Sequence, residues 1–134
     1  MNKLEHIGIA VRNLEESNKL FAKLLGVEHY KIEEVGSEGV RTSFFRIGDV
    51  KIELLEATRA DSPIAKFIEK KGEGIHHLAF DVNNIKESIA DYASKDFTPL
   101  NNEPKAGADG KLICFLHPKT TNGVLVELCQ DKNR

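Results

Sequence analysis

From residue 6 to residue 11 the side chains alternate. Ile7, Ile9 and Val11 fall on one face and His6, Gly8 and Ala10 on the other, the period-two pattern of a strand with one buried face. The period then lengthens. Leu14, Leu20, Phe21, Leu24 and Leu25 are spaced for one side of a helix, Asn13 is placed to cap it and Gly26 to end it. Three extended segments follow, at about 27–35, 40–47 and 50–56. A short amphipathic helix over about 61–71 is announced by Ser62 and Pro63 and broken by Gly72 and Gly74. The same series then recurs: a strand at 77–82, a helix carrying Ile85, Ile89, Tyr92 and Ala93 behind Asn84, and strands near 98–101, 111–117 and 123–129.

Laying the chain on itself with a shift of 71 residues makes the recurrence explicit. His6, Val11, Asn13, Glu16 and Ser17 meet His77, Val82, Asn84, Glu87 and Ser88, and Phe44 meets Phe115. Three extra residues in the second half change the shift to 74, after which Val50, Lys51, Ile52, Glu53 and Leu54 meet Val124, Leu125, Val126, Glu127 and Leu128. The period is too long and occurs too few times for a solenoid. It predicts an α+β chain of two βαβββ modules, at about 4–57 and 75–130, joined by the helix at 61–71 into one domain spanning 1–134.

Composition narrows the function classes. With 19 Lys and Arg against 21 Asp and Glu, the net charge of −2 argues against nucleic acid or an anionic membrane held by bulk charge. No apolar run approaches the roughly 18 residues of a membrane span, and residues 1–6 carry no signal-like apolar stretch, so a cytoplasmic protein is expected. Cys114 and Cys129, the only cysteines, form neither a CxxC pair nor a zinc knuckle and read as reduced thiols. A chain of 134 residues buries a core without a structural metal. A metal here would therefore serve chemistry.

The candidate chemistry lies on the strand faces turned away from the helices. His6 and His77 begin the two first strands with only Gly8 or Ala79 beside them. Glu53 and Glu127 sit between core residues on the two last strands. Any half-exposed sheet alternates polar with apolar residues, but here both residue types recur at matched positions in both halves. If the modules curl toward each other, two imidazoles and two carboxylates meet. That set suits Co²⁺, Zn²⁺, Ni²⁺, Mn²⁺ or Fe²⁺ and leaves two adjacent positions open on an octahedral ion.

A duplicated βαβββ unit with a His on each first strand and a carboxylate on each last one resembles the vicinal oxygen chelate superfamily, which includes the glyoxalase and bleomycin-resistance proteins. Within it the stretches around 6–11, 52–56, 61–65 (Asp-Ser-Pro-Ile-Ala), 74–80, 115–119 and 123–128 (Gly-Val-Leu-Val-Glu-Leu) are similar to the methylmalonyl-CoA epimerases over nearly the whole chain. The resemblance implies the vicinal oxygen chelate fold, a curved mixed sheet around a metal site. It further implies metal ligands at His6, Glu53, His77 and Glu127, one divalent ion per chain with Co²⁺ favoured, and a coenzyme A thioester as substrate. The implied activity is interconversion of the (R) and (S) epimers. Glu53 stands where some members have Gln, and Thr42 where some have a glutamate proposed as a base. Glu127 is then the leading acid/base, with Glu53 or a metal-bound water second and Lys51 and Glu56 behind them.

The chemistry is coherent on its own terms. Removing a proton alpha to a thioester leaves an enolate, whose charge a divalent ion neutralises as a Lewis acid. The proton must then return on the opposite face. Lys111 and Lys119, with Lys105 behind them, are candidate contacts for the coenzyme A phosphates, and the loop 117–123 is placed to cover a substrate. His76 points away from His77, and His29 is expected to be exposed. Competing readings are a glyoxalase-type isomerase or lyase, an extradiol dioxygenase, and a small-ligand-binding protein without turnover. Pairing of exposed sheet edges predicts a homodimer.

Overall fold

The structure, a computed structural model, describes residues 1–133. It divides into two compact units, one comprising His6–His76 and the other Met1–Glu5 with the chain from His77 onward. Each unit carries one module.

The first unit contains β1 (Lys3–Ala10, from His6 onward), α1 (Leu14–Leu25), β2 (Lys31–Val35), β3 (Val40–Ile47), β4 (Val50–Ala57) and α2 (Pro63–Lys71). Its strands lie in the order β2-β3-β4-β1, antiparallel except for the parallel β1–β4 pair. The helix boundaries are set by local chemistry. The Asn13 side chain accepts from the Glu16 amide at 2.9 Å, and Gly26 ends α1 at φ 75°, a left-handed conformation that costs a glycine little. Ser62 caps α2 with Pro63 at its first turn.

One face of this sheet packs Val11, Phe45 and Leu54 against Leu14, Phe21 and Leu25 of α1. The other face carries Ala10, Val40 and Leu55 under Ile64, Phe67 and Ile68 of α2 at one end, and His6 and Glu53 at the other. The stripe α1 buries differs from the one expected. Leu14 and Asn18 are buried, whereas Leu20 and Leu24 are 57% and 70% exposed. The i, i+4, i+7, i+11 row runs through Asn18, so its polar side chain hid the stripe. The first extended segment also begins later than predicted, at Lys31.

The second unit repeats the plan with β5 (Gly74–Asp81, from His77 onward), α3 (Ile85–Ser94), β6 (Lys105–Ala106), β7 (Lys111–Leu116) and β8 (Val126–Asp131). The order is β5-β8-β7-β6, with β5 and β8 parallel. Val82, Cys114, Leu116 and Leu128 pack on Ile85 and Ile89 of α3, which Asn84 caps through the Glu87 amide at 3.1 Å. The strand expected near 98–101 is reduced to a single bridge between Pro99 and Leu116, flanked by the Leu100 amide donating to Phe115 O and the His117 amide to Thr98 O. The edge role passes to the two-residue β6. The last strand starts at Val126 rather than 123, after a turn in which Asn122 and Gly123 take φ of 60° and 86°.

The duplication reaches the capping contacts. Glu56 at the end of β4 accepts the first amide of α1 at 2.9 Å, and Gln130, its counterpart on β8, accepts the first amide of α3 at 2.7 Å.

Candidate functional site

In the first unit the parallel pairing of β1 with β4 sets Gly8 directly across from Glu53 and Lys51 directly across from His6. The alternation therefore places His6, Lys51 and Glu53 on one sheet face. Phe44 of β3 flanks Glu53 on its other side. Both polar side chains are buried, His6 5% and Glu53 4% exposed, and His6 Nδ1 lies 3.2 Å from Glu53 Oε2.

The second unit builds the same arrangement at matching register. Ala79 lies across from Glu127 and Phe115 flanks it. His77 Nε2 is 3.4 Å from Glu127 Oε1, with the residues 6% and 4% exposed, and the imidazole stands edge-on to Phe115 with ring centroids 5.7 Å apart. The two pairs differ in the ring nitrogen presented.

Two properties of these pairs fit metal ligation. Imidazole nitrogen and carboxylate oxygen are the donors that divalent first-row ions accept. The separations also fit: ligand atoms about 2.1 Å from one ion stand about 3.0 Å apart at octahedral angles and about 3.4 Å apart at tetrahedral ones. The measured 3.2 and 3.4 Å match neighbouring donors of an ion better than a tight charge-assisted hydrogen bond of about 2.7–2.9 Å.

The other residues singled out in the sequence separate cleanly. Lys111 is not a surface contact for phosphate: it is 8% exposed, with its ammonium 2.8 Å from Asp131 and 3.8 Å from Glu5. Its place on β7 across from Asp131 puts it inside the second unit. Lys119 sits in the short 3-10 turn Pro118–Thr120, where the His117 side chain accepts its amide at 3.1 Å. Glu56 leaves the list of bases, since it caps α1 and pairs with Arg41 at 3.0 Å on the opposite face from Glu53. Arg41 also holds the exposed Glu15 carboxyl below its usual pKa. Thr42 is buried between Glu33 and Leu55 on the Glu53 face and brings no carboxylate.

His76 packs edge-on against Phe67, 5.0 Å between centroids, and burial, aided by Lys71, pushes its pKa down to about 4. It is a neutral structural imidazole. His29 is half-buried rather than exposed, edge-on to Phe45. Both cysteines are free and buried; burial raises both thiols, and Glu127 adds to the effect on Cys129. They are poor nucleophiles. The residues the sequence reading underrated are Phe44 and Phe115, which wall the two carboxylates, and the buried Lys51. Their signals were the Phe44/Phe115 match in the repeat and the position of Lys51 two residues before Glu53.

Residues 5–115 match the model of the glyoxalase/bleomycin resistance protein/dioxygenase superfamily. The chain belongs to that superfamily. It is 40% identical over 131 residues to the mitochondrial methylmalonyl-CoA epimerase of Homo sapiens, covering 97% of this chain and 74% of the human one. It is 39% identical over 132 residues to an ethylmalonyl-CoA/methylmalonyl-CoA epimerase of Cereibacter sphaeroides, covering 97% and 98%. Among solved structures, a variant of Streptomyces coelicolor methylmalonyl-CoA epimerase in complex with 2-nitronate-propionyl-CoA matches with a TM-score of 0.94 and 36% identity, over 98% of this chain and 96% of that one. The α+β fold is thus the vicinal oxygen chelate fold of the superfamily, as the repeat and the resemblance predicted.

Proposed function

We propose that this protein interconverts the (R) and (S) epimers of methylmalonyl-CoA with the help of a divalent metal ion. The observation that carries this reading is the pair of buried imidazole–carboxylate couples at matching register in the two modules, in a chain similar over its length to methylmalonyl-CoA epimerases. In this reading His6, Glu53, His77 and Glu127 together hold one ion, with Co²⁺ favoured over Zn²⁺, Ni²⁺ or Mn²⁺. The ion, when bound, supplies positive charge beside the oxygen on which the enolate charge develops.

The chain's own residues do the rest. Glu127 accepts the alpha proton as the C–H bond breaks, its electron pair passing into the enolate, and afterwards gives that proton to solvent; a water molecule held by Glu53, the other carboxylate of the set, delivers a proton to the opposite face and regains one from solvent, so Glu53 stays ionised. No net proton is consumed. Phe44 and Phe115 beside the two carboxylates exclude water, which strengthens the electrostatics of the step. Lys119 on its turn contacts the coenzyme A phosphates, a role Lys111 cannot share because its ammonium is engaged inside the second unit. The protein works in the cytoplasm as a homodimer.

Metal content measured by mass spectrometry tests the ligand set. Wild type is expected to hold one ion per chain, and His6→Ala, His77→Ala and Glu127→Ala each to lose it with activity. Full epimerase activity in protein stripped of metal would overturn the reading.

A further inference from the structure

Among the described residues three buried side-chain atoms have no hydrogen-bond partner: Asn18 Oδ1, His29 Nδ1 and Ser43 Oγ. Buried polar groups are nearly always paired, so an unpaired set calls for a reason. All three lie in the first unit, on the sheet face turned toward α1 and away from His6 and Glu53. Asn18 is on the buried row of α1, Ser43 shares its face of β3 with Phe45, and His29 stands edge-on to Phe45. The second module shows that the fold does not need these polar groups. The shift of 71 carries Asn18 to Ile89 and Ser43 to Cys114, both members of the core beneath α3. The Tyr30 amide donates to Phe44 O as the Leu100 amide does to Phe115 O, which matches His29 to Pro99. Three positions that are apolar in one module are therefore polar in the other.

Asn18, which is 7% exposed, and His29 line an open cavity of about 570 Å³ between α1 and the chain from Glu28 to Ile32. Ser43 lies directly across from Ile32, which forms its apolar wall together with Ala22. Lys19, Lys23 and Glu28 are exposed at its rim. Glu15 also borders it but is held by Arg41 at 2.6 Å, so the charge offered to a ligand is positive on balance. We infer that this cavity is a binding site for a small organic anion that carries a hydroxyl group, on the opposite face of the sheet from His6 and Glu53. The hydroxyl donates to Asn18 Oδ1 and meets His29 Nδ1, as a group that both donates and accepts can do. The anionic group pairs with Lys19 and Lys23, and the carbon skeleton rests on Ala22 and Ile32. The exposed side chains of Lys23 and Ile32 turn aside as it reaches the buried atoms. The volume exceeds that of an inorganic ion and lies in the range of small-molecule pockets. A hydroxy acid and a polyol phosphate share this chemistry.

NMR titration of the full chain with 3-hydroxybutyrate and with glycerol 3-phosphate tests this, each beside its counterpart without a hydroxyl, butyrate or propyl phosphate. The Asn18 side-chain amide and the His29 ring signals should move with at least one hydroxylated probe, at a Kd of about 0.1–10 mM. Its counterpart should bind about ten-fold more weakly or worse, and which pair responds tells a carboxylate from a phosphate. Asn18→Ile, the residue the second module carries, should weaken that probe about ten-fold or more while thermal melting shows it folded. Lys19→Gln with Lys23→Gln, both exposed and outside the core, should weaken the same probe and serves should the isoleucine variant fail to fold. Silence with both hydroxylated probes, equal binding with and without the hydroxyl, or affinity unchanged in the variants overturns the inference. So do shifts that gather around His6 and Glu53 instead. Each outcome is read whether or not the protein turns over methylmalonyl-CoA.

Discussion

Replacing Lys111 with methionine tests whether its ammonium is a structural element or a ligand contact. The Glu5 carboxylate, 3.8 Å away, is 5% exposed, while that of Asp131, 2.8 Å away, is 49% exposed. At an effective dielectric of about 20 a pair at this separation interacts by about 4 kcal/mol, and stranding a buried charge typically costs about 3–5 kcal/mol. Asp131 can turn to water and contributes about 0.5–1 kcal/mol at most. Lys111→Met should therefore lose about 3–4 kcal/mol, most of it from the buried ion pair with Glu5. Adding Glu5→Gln should return about 2–3 kcal/mol, making the double variant more stable than the single one. Urea unfolding followed by circular dichroism reads this directly: with a slope near 2 kcal/mol/M the single variant's midpoint should fall by about 1.5–2 M. A shift below about 0.5 M, or a double variant as weak as the sum of the singles, would refute the buried-pair account. So would a large rise in KM for coenzyme A esters with unchanged stability.

Further outcomes follow from the same structure. Asn13→Ala and Asn84→Ala should each cost about 1 kcal/mol, additively, since each cap serves its own module; calorimetric melting checks this. His76 stays neutral in the folded protein down to about pH 4 but takes up a proton near 6.5 once unfolded. Its contribution is thus complete above pH 6.5 and declines as the pH falls from 6.5 to 4. The loss should be about 2 kcal/mol after allowing for the ring's partial exposure, and His76→Leu should flatten that stretch of the stability profile. Leu54→Ala and Leu128→Ala, both fully buried on the helix-facing side of their sheets, should cost about 2–5 kcal/mol, whereas Leu24→Ala should stay within about 0.5 kcal/mol.

Much of this fold is legible because the gene product repeats itself. The shift of 71 and then 74 residues locates equivalent strands before any is seen, and the register of β1 with β4 and of β5 with β8 places the histidines and glutamates as alternation requires. The caps were equally readable, since Asn13, Ser62 and Asn84 each make the hydrogen bond their position suggests. Apolar spacing failed where a polar residue occupies a core row. Asn18 made the stripe through Leu20 and Leu24 look better than the one α1 buries. The strand expected near 98–101 survives as one bridge, at Pro99. Charge was the other blind spot: Lys111, Lys51 and Lys119 look alike in a sequence, but two are buried by their register on inner strands and only Lys119 lies on a surface turn. Whether a lysine is solvated is decided by which residue stands across from it.

In the proposed reaction Glu127 and its companions labilise a proton alpha to a thioester, and hydrogen exchange measures that bond directly. Enantiopure methylmalonyl-CoA in D₂O should gain deuterium at the alpha carbon and lose its configuration when wild-type protein and Co²⁺ are both present, as followed by NMR and mass spectrometry. Stripping the metal, or replacing Glu127 with alanine, should reduce both signals to the enzyme-free rate. Exchange that persists undiminished in Glu127→Ala, or its absence from wild type with every divalent ion tried, would contradict the account.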